Sequence, residues 1–165
     1  MNNKVLIRQG QRTDIPHVMR LVRELAEYER APHEVTNTEE EMLRDGFGEN
    51  PSFGFYVAEL DHNVVGLALY YTRYSTWKGR CFYLEDIVVS EQYRGLGIGH
   101  QLFMSCLKNA SDNGFASVNW QVLDWNEPAI RFYDRYNAEK DGEWINCRIM
   151  RSAFADLLDQ TDVKS

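Results

Sequence analysis

The chain is poor in the features from which several protein classes are built. Only three of its 165 residues are cysteine, Cys81, Cys106 and Cys147, and their spacing is not that of a metal site. An odd cysteine count without such spacing favours reduced thiols in a core. No apolar run approaches the roughly 18–20 residues that a membrane span needs. We therefore expect no metal and no place in a membrane.

Excess positive charge is also missing. The net charge is −7, which argues against nucleic acid as a partner. The first ten residues, MNNKVLIRQG, are too short and polar for a signal peptide, so we expect a cytoplasmic protein. Repeats and low-complexity tracts are absent. With 44% hydrophobic residues, the sequence predicts one domain over residues 1–165, with a loose polar tail over 159–165.

The acidic excess is concentrated between residues 24 and 49. This segment contains nine acidic and two basic side chains. The solvated face of a helix would have the same composition, and that is our interpretation of most of these residues. The negative electrostatic potential of the whole segment would nevertheless attract cations.

Residues 80–100, RCFYLEDIVVSEQYRGLGIGH, combine a strand, a glycine-rich turn and the start of a helix. The apolar and β-branched run over 80–89 predicts a strand, and it carries two carboxylates, Glu85 and Asp86. A turn with Arg94 and three glycines then leads into a helical pattern. This order directs backbone N–H groups and the positive end of a helix dipole at an anion.

Two well-known anion motifs do not fit this turn. The dinucleotide motif G-x-G-x-x-G fails because its last position is His100, and no P-loop is present. The pattern that fits is R-x-x-G-x-G, formed by Arg94, Gly97 and Gly99. On its own, this short pattern also describes an ordinary strand-to-helix turn.

The loop resembles the acyl-CoA loop of the GCN5-related N-acetyltransferases. Three further stretches narrow the resemblance: ELAEYE at 24–29, YSTWKGR at 74–80, and DWNEP at 124–128, followed by Phe132 and Tyr133. Together they resemble the spermidine/spermine N-acetyltransferase branch and, within it, the thialysine N-acetyltransferases. The likeness runs in order from about residue 5 to about residue 150.

The resemblance implies direct transfer of an acetyl group from acetyl-CoA to a primary amine in a ternary complex. The substrate would be a small cation such as a thialysine-like amino acid, a diamine or a polyamine, and the enzyme would be a homodimer. Two alternatives stay open: a protein lysine or N-terminal acetyltransferase, and a non-catalytic acyl-CoA sensor. Retention of both Glu85 and Tyr133 favours an enzyme, because a sensor needs only the loop.

The resemblance also implies which residues hold acetyl-CoA. Backbone groups after the two carboxylates would pair with the pantetheine arm like an added strand, and the glycine loop would hold the pyrophosphate. For Arg135, a solvated helix arginine is an equal alternative. The full cofactor-binding set is Ile87, Val88, Val89, Arg94, Gly95, Leu96, Gly97, Ile98, Gly99, His100, Asn126, Tyr133 and Arg135.

Acetyl transfer needs a base for the amine and an acid for the departing thiolate. Glu85 is the candidate base, since burial among apolar neighbours would raise the pKa of a carboxylate here. Successive side chains of a strand alternate in direction, so we expect only one of Glu85 and Asp86 to face the cleft. Tyr133 is the candidate acid, because a phenol holds its proton at pH 7.

The implied substrate-binding residues are Tyr28, Glu29, Trp77, Glu85 and Asp86. For Asp86, a structural role as hydrogen-bond acceptor is as good an interpretation. One departure from the branch concerns the loop before Trp77, where spermidine enzymes carry an acid and this chain has Ser75. This change favours short amines over long polyamines.

The predicted fold class is α/β of the mixed α+β kind, with a mixed, mostly antiparallel sheet flanked by helices. The resemblance implies the acetyltransferase fold, in which the strands at 80–89 and 118–123 splay apart. The predicted order is β-α-α-β-β-β-α-β-α-β. Its elements are 4–8, a helix capped by Thr13 and ending near 29–30, 38–45 stopped by Gly46, 53–60, 64–73, 80–89, 98–113, 118–123, 126–136, 144–150 and a final helical turn at 152–158.

Overall fold

The computed structural model describes residues 4–161 of the chain. The chain divides into two compact units, residues 1–121 and residues 122–165. Part of the predicted loose tail, 159–161, is helical, and the remaining four residues lie outside the described part. Within residues 4–161, no helix is both long enough and apolar enough to cross a membrane.

The first unit is built on a five-stranded sheet in the spatial order β1-β2-β3-β4-β5. Neighbours from β1 to β4 are antiparallel, and β5 runs parallel to β4, so the predicted mixed, mostly antiparallel sheet is confirmed. Asp61 and His62 join β2 to β3, and both have the positive φ that a tight hairpin turn of this length requires. The strands are β1 Leu6–Gln9, β2 Gly54–Leu60, β3 Asn63–Ser75, β4 Gly79–Val89 and β5 Ser117–Asn119.

Two helices, α1 (Ile15–Tyr28) and α2 (Glu39–Phe47), pack on one face of this sheet. The apolar residues of α1 recur at helical spacing, and each fully buried one stabilises the fold by about 1.5–3 kcal/mol. They pack against alternating residues of β2, β3 and β4 because strand side chains on one face recur every second residue. The buried members of this core are Ile15, Val18, Met19, Leu21, Met42, Phe55, Val57, Val64, Leu67, Leu69 and Val88.

The helix boundaries follow the sequence with two corrections. The residue that precedes α1 is Asp14 and not Thr13, because Asp14 is fixed by Arg8 at 2.7 and 2.9 Å and closes the preceding turn. Thr38 caps α2. Gly46 does not stop α2; it lies inside the helix, where the Phe53 ring packs so closely that a Cβ would lie 2.6 Å from it.

The third helix, α3 (Ile98–Asp112), packs on the opposite face of the sheet. A Cβ on Gly66 of β3 would lie 3.1 Å from the Leu102 side chain, so glycine permits the close approach of helix and sheet. On the same face, Asn109 donates a hydrogen bond to the Tyr56 hydroxyl at 2.9 Å. The sheet thus lies between two helical layers, as the sequence predicts.

The second unit contains two helices, α4 (Glu127–Asp134) and α5 (Phe154–Thr161). Asn126 caps α4, and the helix ends two residues before the predicted end at 136. Asn137 adopts the left-handed conformation that asparagine tolerates after a helix end.

The predicted last strand over 144–150 is wrong, because no strand is found there in the described chain. Its apolar pattern is typical of a strand, but a strand forms only where another strand pairs with it. Trp144 and Ile145 are largely exposed instead. The strand expected at 118–123 is likewise reduced to the three residues that pair with β4.

Candidate active site

A β-bulge interrupts β4 at the two carboxylates. In the ladder between β3 and β4, Leu69 lies opposite Asp86, whereas the next residue of β3, Tyr70, lies opposite Leu84. Glu85 is therefore the extra residue of the bulge, with no residue of β3 directly opposite it. A bulge of this kind re-aims the side chains of the strand that carries it.

The bulge places both carboxylates on the same face of the sheet. Leu69 and Tyr71 share a face because β3 continues with regular alternation. Asp86 lies opposite Leu69, and Glu85 accepts a hydrogen bond from the Tyr71 hydroxyl at 3.2 Å. The alternation expected from sequence does not hold here, since the extra residue cancels it. Both side chains face the layer formed by α1 and α2.

The end of α1 adds a third carboxylate, Glu29, to this region. Burial, together with the negative charges of Glu85 and Glu29, raises the pKa of Asp86 to about 7. Burial also raises the pKa of Glu29. Asp86 is thus the carboxyl group whose pKa is raised to near neutral pH. Three acidic side chains close together also form a favourable site for an ammonium ion.

Two tyrosines border the carboxylates. Tyr71 and Tyr83 lie side by side with ring centroids 5.1 Å apart. Burial and the Glu85 carboxylate raise the pKa of Tyr71 to about 12, so Tyr71 remains a hydrogen-bond donor at neutral pH. Sequence reasoning missed Tyr71. Only its position opposite β4 indicates a role in the site, and that position is known only once the pairing register of β3 and β4 is known.

The turn between β4 and α3 has the geometry of an anion cradle. Gly95 and Gly97 have φ values of 80° and 76°, a left-handed conformation that favours glycine. A Cβ at either position would meet no atom within 4 Å, so the space beside both glycines is open. Gly97 immediately precedes α3, whose first-turn amides have no acceptor within the helix. These features fit a diphosphate.

Arg94 is held at the entrance of this cradle. Its Nε donates to the Val89 carbonyl at 3.0 Å, and its guanidinium lies 5.2 Å from the centre of the Tyr28 ring. The cation–π contact fixes the charge beside the turn. Tyr28, which the resemblance assigns to the substrate, therefore contacts the anion loop in this structure.

The second half of β4 has a strand on one side only. The pairing of β4 with β5 ends at Tyr83 and Asn119, whereas pairing with β3 continues to Val89. Among the strands of the described chain, none pairs with residues 84–89 on the β5 side. This splay, predicted from the sequence, leaves the backbone of 87–89 accessible to an extended ligand.

Trp77 is not brought close to the carboxylates. It lies in the turn between β3 and β4 and is 88% exposed. Ser75 accepts hydrogen bonds from the backbone N–H groups of Trp77 and Lys78, and so it shapes the turn. At about 3.3 Å per residue, Ser75 lies about 13 Å along β3 from Tyr71. The substrate role of Trp77 stays a prediction.

The remaining predicted residues lie in the second unit. The Asn126 side chain accepts from the Ala129 amide at 3.3 Å, which caps α4. Tyr133 lies near the end of α4 with its ring edge-on to Phe132. The Arg135 guanidinium lies 4.8 Å from the centre of the Phe132 ring. The roles of Asn126, Tyr133 and Arg135 towards acetyl-CoA stay predictions.

Comparison with known proteins agrees with this geometry. Residues 18–138 match the acetyltransferase (GNAT) family. The chain is 41% identical to thialysine N-epsilon-acetyltransferase of Mus musculus, over 92% of this chain and 95% of that protein. It is 43% identical to the Bos taurus protein of the same name, over 82% and 84%.

The fold is also found among solved structures. An aminoglycoside N-acetyltransferase in complex with CoA matches with a TM-score of 0.73 and 19% identity, over 90% of this chain and 97% of that chain. The chain therefore belongs to the acetyltransferase (GNAT) family. It is an acetyl-CoA-dependent N-acetyltransferase.

The anion cradle yields a direct prediction. Gly97→Asp should weaken CoA binding at least tenfold, because it adds a negative charge beside the expected pyrophosphate and strains a left-handed position. Calorimetry with CoA measures the change. Asp112→Asn, at the exposed far end of α3, should bind CoA like the wild type. Unchanged affinity in a folded Gly97→Asp protein would contradict the assignment of the loop.

Proposed function

We propose that this enzyme acetylates the primary amine of a short cationic substrate, with thialysine-like amino acids and short diamines preferred over spermine. The observation that carries the proposal is the convergence of Glu29, Glu85 and Asp86 at the bulge. A cluster of carboxylates attracts an ammonium group. The names of the mouse and cattle relatives support the thialysine-like class.

The substrate must lose a proton before it can accept an acetyl group. A lysine-like amine has a pKa of about 10.4, so only about one molecule in 2,500 is uncharged at pH 7. Carboxylates that bind the ammonium also raise the amine's pKa, which sets affinity against reactivity. A base with a pKa near the working pH resolves this conflict.

We assign the proton acceptor to the pair Glu85 and Asp86. Sequence reasoning favoured Glu85 alone, and its exposed position beside Tyr71 suits contact with the amine. Asp86 is half-buried and has the better matched pKa, about 7. In this scheme Glu85 orients the ammonium, and the proton passes to Asp86 directly or through water.

Acetyl-CoA supplies the acetyl group as a thioester when it is bound. The backbone of Ile87, Val88 and Val89 would pair with its pantetheine arm, and the loop from Arg94 to His100 would hold its pyrophosphate. Asn126 and Arg135 would make further contacts. Tyr133 would protonate the departing thiolate. Open backbone on β4 and the left-handed glycines support the first two assignments.

A homodimer and a cytoplasmic location complete the proposal. The homodimer rests on the family resemblance, and the cytoplasmic location on the cysteine usage of the sequence. Light scattering at micromolar protein tests the first: a mass near the 19.3 kDa of one chain would contradict a dimer.

A panel of amines with acetyl-CoA, followed by thiol release, tests the substrate class. The panel should contain thialysine, lysine, a short diamine, spermidine, spermine and a lysine-containing peptide. We expect kcat/KM to be highest for thialysine or the diamine. It should also fall as salt rises, because charge attraction is screened beyond about 8 Å at physiological ionic strength. A preference for spermine or for the peptide would contradict the proposal.

The role of Asp86 predicts a specific pH dependence. In the wild type, kcat/KM should rise through an inflection near pH 7, because Asp86 accepts a proton only above its pKa of about 7. Asp86→Asn should remove that inflection and lower kcat/KM at pH 7.5 by roughly 10²-fold. Glu40→Gln, an exposed acid on α2, changes the net charge equally and should retain the profile. An unchanged inflection in Asp86→Asn would exclude Asp86 as the proton acceptor.

The role of Tyr133 predicts a loss in turnover without a loss in binding. Tyr133→Phe should lower kcat by roughly 10²–10⁴-fold, the range for general acid catalysis, with acetyl-CoA affinity unchanged. Tyr136→Phe, three residues further along the chain, serves as the matched control and should keep wild-type turnover. Steady-state kinetics and calorimetry separate the two effects. Turnover of Tyr133→Phe within about threefold of the wild type would remove Tyr133 from the mechanism.

A further inference from the structure

An acidic side chain of α1 holds the point at which the chain leaves β4 for the anion loop. One oxygen of the Glu24 carboxylate accepts a hydrogen bond from the Ser90 hydroxyl at 2.9 Å. The other accepts from the backbone N–H of Glu91 at 2.7 Å. Both oxygens are therefore engaged by two consecutive residues that are more than sixty positions away in sequence.

Glu91 begins a short 3₁₀ turn, Glu91–Tyr93, that leads directly to Arg94. Ser90 occupies the capping position of this turn, but its side chain makes no capping hydrogen bond. The carboxylate of Glu24 takes that role from another helix. An acceptor with a negative charge at such a terminus is favourable both as a hydrogen-bond partner and towards the local dipole.

Glu24 is itself fixed in place. Its side chain is only 27% exposed, and Arg20 lies 3.8 Å from it, one turn earlier on α1. Arg20 also donates to the Val64 carbonyl of β3 at 2.7 Å, which ties this face of α1 to the sheet. The backbone N–H of Ser90 donates to the next carbonyl, that of Val65, at 2.9 Å. The corner is thus restrained from the helix and from the strand together.

We propose that Glu24 is a positioning residue for acetyl-CoA, which fixes the corner at Ser90 and Glu91 and so pre-forms the anion loop. The inference rests on the proposed assignment of residues 94–100 to the pyrophosphate. A loop that is already ordered loses less conformational entropy when it binds a ligand. Removal of Glu24 should therefore weaken acetyl-CoA binding and leave the chemical step intact.

Binding and kinetics of Glu24→Gln provide the main test. Glutamine keeps the size of the side chain, and its amide can still accept from the Glu91 N–H and donate to the Ser90 hydroxyl, but both contacts lose the carboxylate charge. This weaker hold on the corner should cost about tenfold in affinity. The Kd for CoA and the KM for acetyl-CoA should rise about tenfold, whereas kcat at saturation and the KM for the amine should stay within about threefold. Glu27→Gln, an exposed acid on the same helix, should match the wild type.

Two further measurements separate positioning from simple stabilisation. The Glu91 amide should be protected from hydrogen exchange in the free wild-type enzyme, and Glu24→Ala should remove that protection at temperatures where the protein stays folded. In a double-mutant cycle on CoA affinity, Ser90→Ala should cost several-fold alone and almost nothing in the Glu24→Ala background, because the two groups act as a pair.

Two results would overturn the inference. A Glu24→Gln protein with lowered thermal stability but a CoA Kd within twofold of wild type would reduce Glu24 to a structural residue and overturn the inference. Equal losses in both KM values and in kcat would overturn it as well. If Gly97→Asp also binds CoA normally, the assignment of the loop itself fails; if only Gly97→Asp is impaired, the inference alone fails.

Discussion

The site depends on one irregularity of the sheet, the extra residue at Glu85 in β4. A regular strand would direct Glu85 and Asp86 to opposite faces and leave one of them among the residues under α3. The bulge directs both towards α1, where Glu29 completes the group. The cluster of negative charges and the partial burial of Asp86 both result from the one-residue shift that this bulge introduces into the pairing of β4 with β3.

Helix α1 serves both halves of the site. Glu24 holds the corner before the anion loop, the Tyr28 ring lies beside Arg94, and Glu29 raises the pKa of Asp86. These residues lie within little more than one helical turn, on the part of the helix that follows its buried apolar face. The packing of α1 on the sheet therefore fixes the anion loop and the group of carboxylates relative to each other.

Local patterns made much of this predictable from the sequence. The glycine-rich turn, the first three helices and the first four strands depend mainly on patterns of neighbouring residues, and each was found close to its predicted position. The bulge, Tyr71 and Glu24 were missed because each depends on register or on contact between distant segments. The strand expected at 144–150 failed for the same reason: its apolar pattern is local, but strand formation requires a partner.

The β4 bulge and the neighbouring carboxylates place a titrating proton on Asp86 near neutral pH. Carboxyl ¹³C NMR titration of aspartate-labelled enzyme measures this directly, with Asp86→Asn to assign the resonance. We expect a midpoint at about pH 7 for Asp86. A midpoint near 4, the ordinary value for an aspartate, would contradict it.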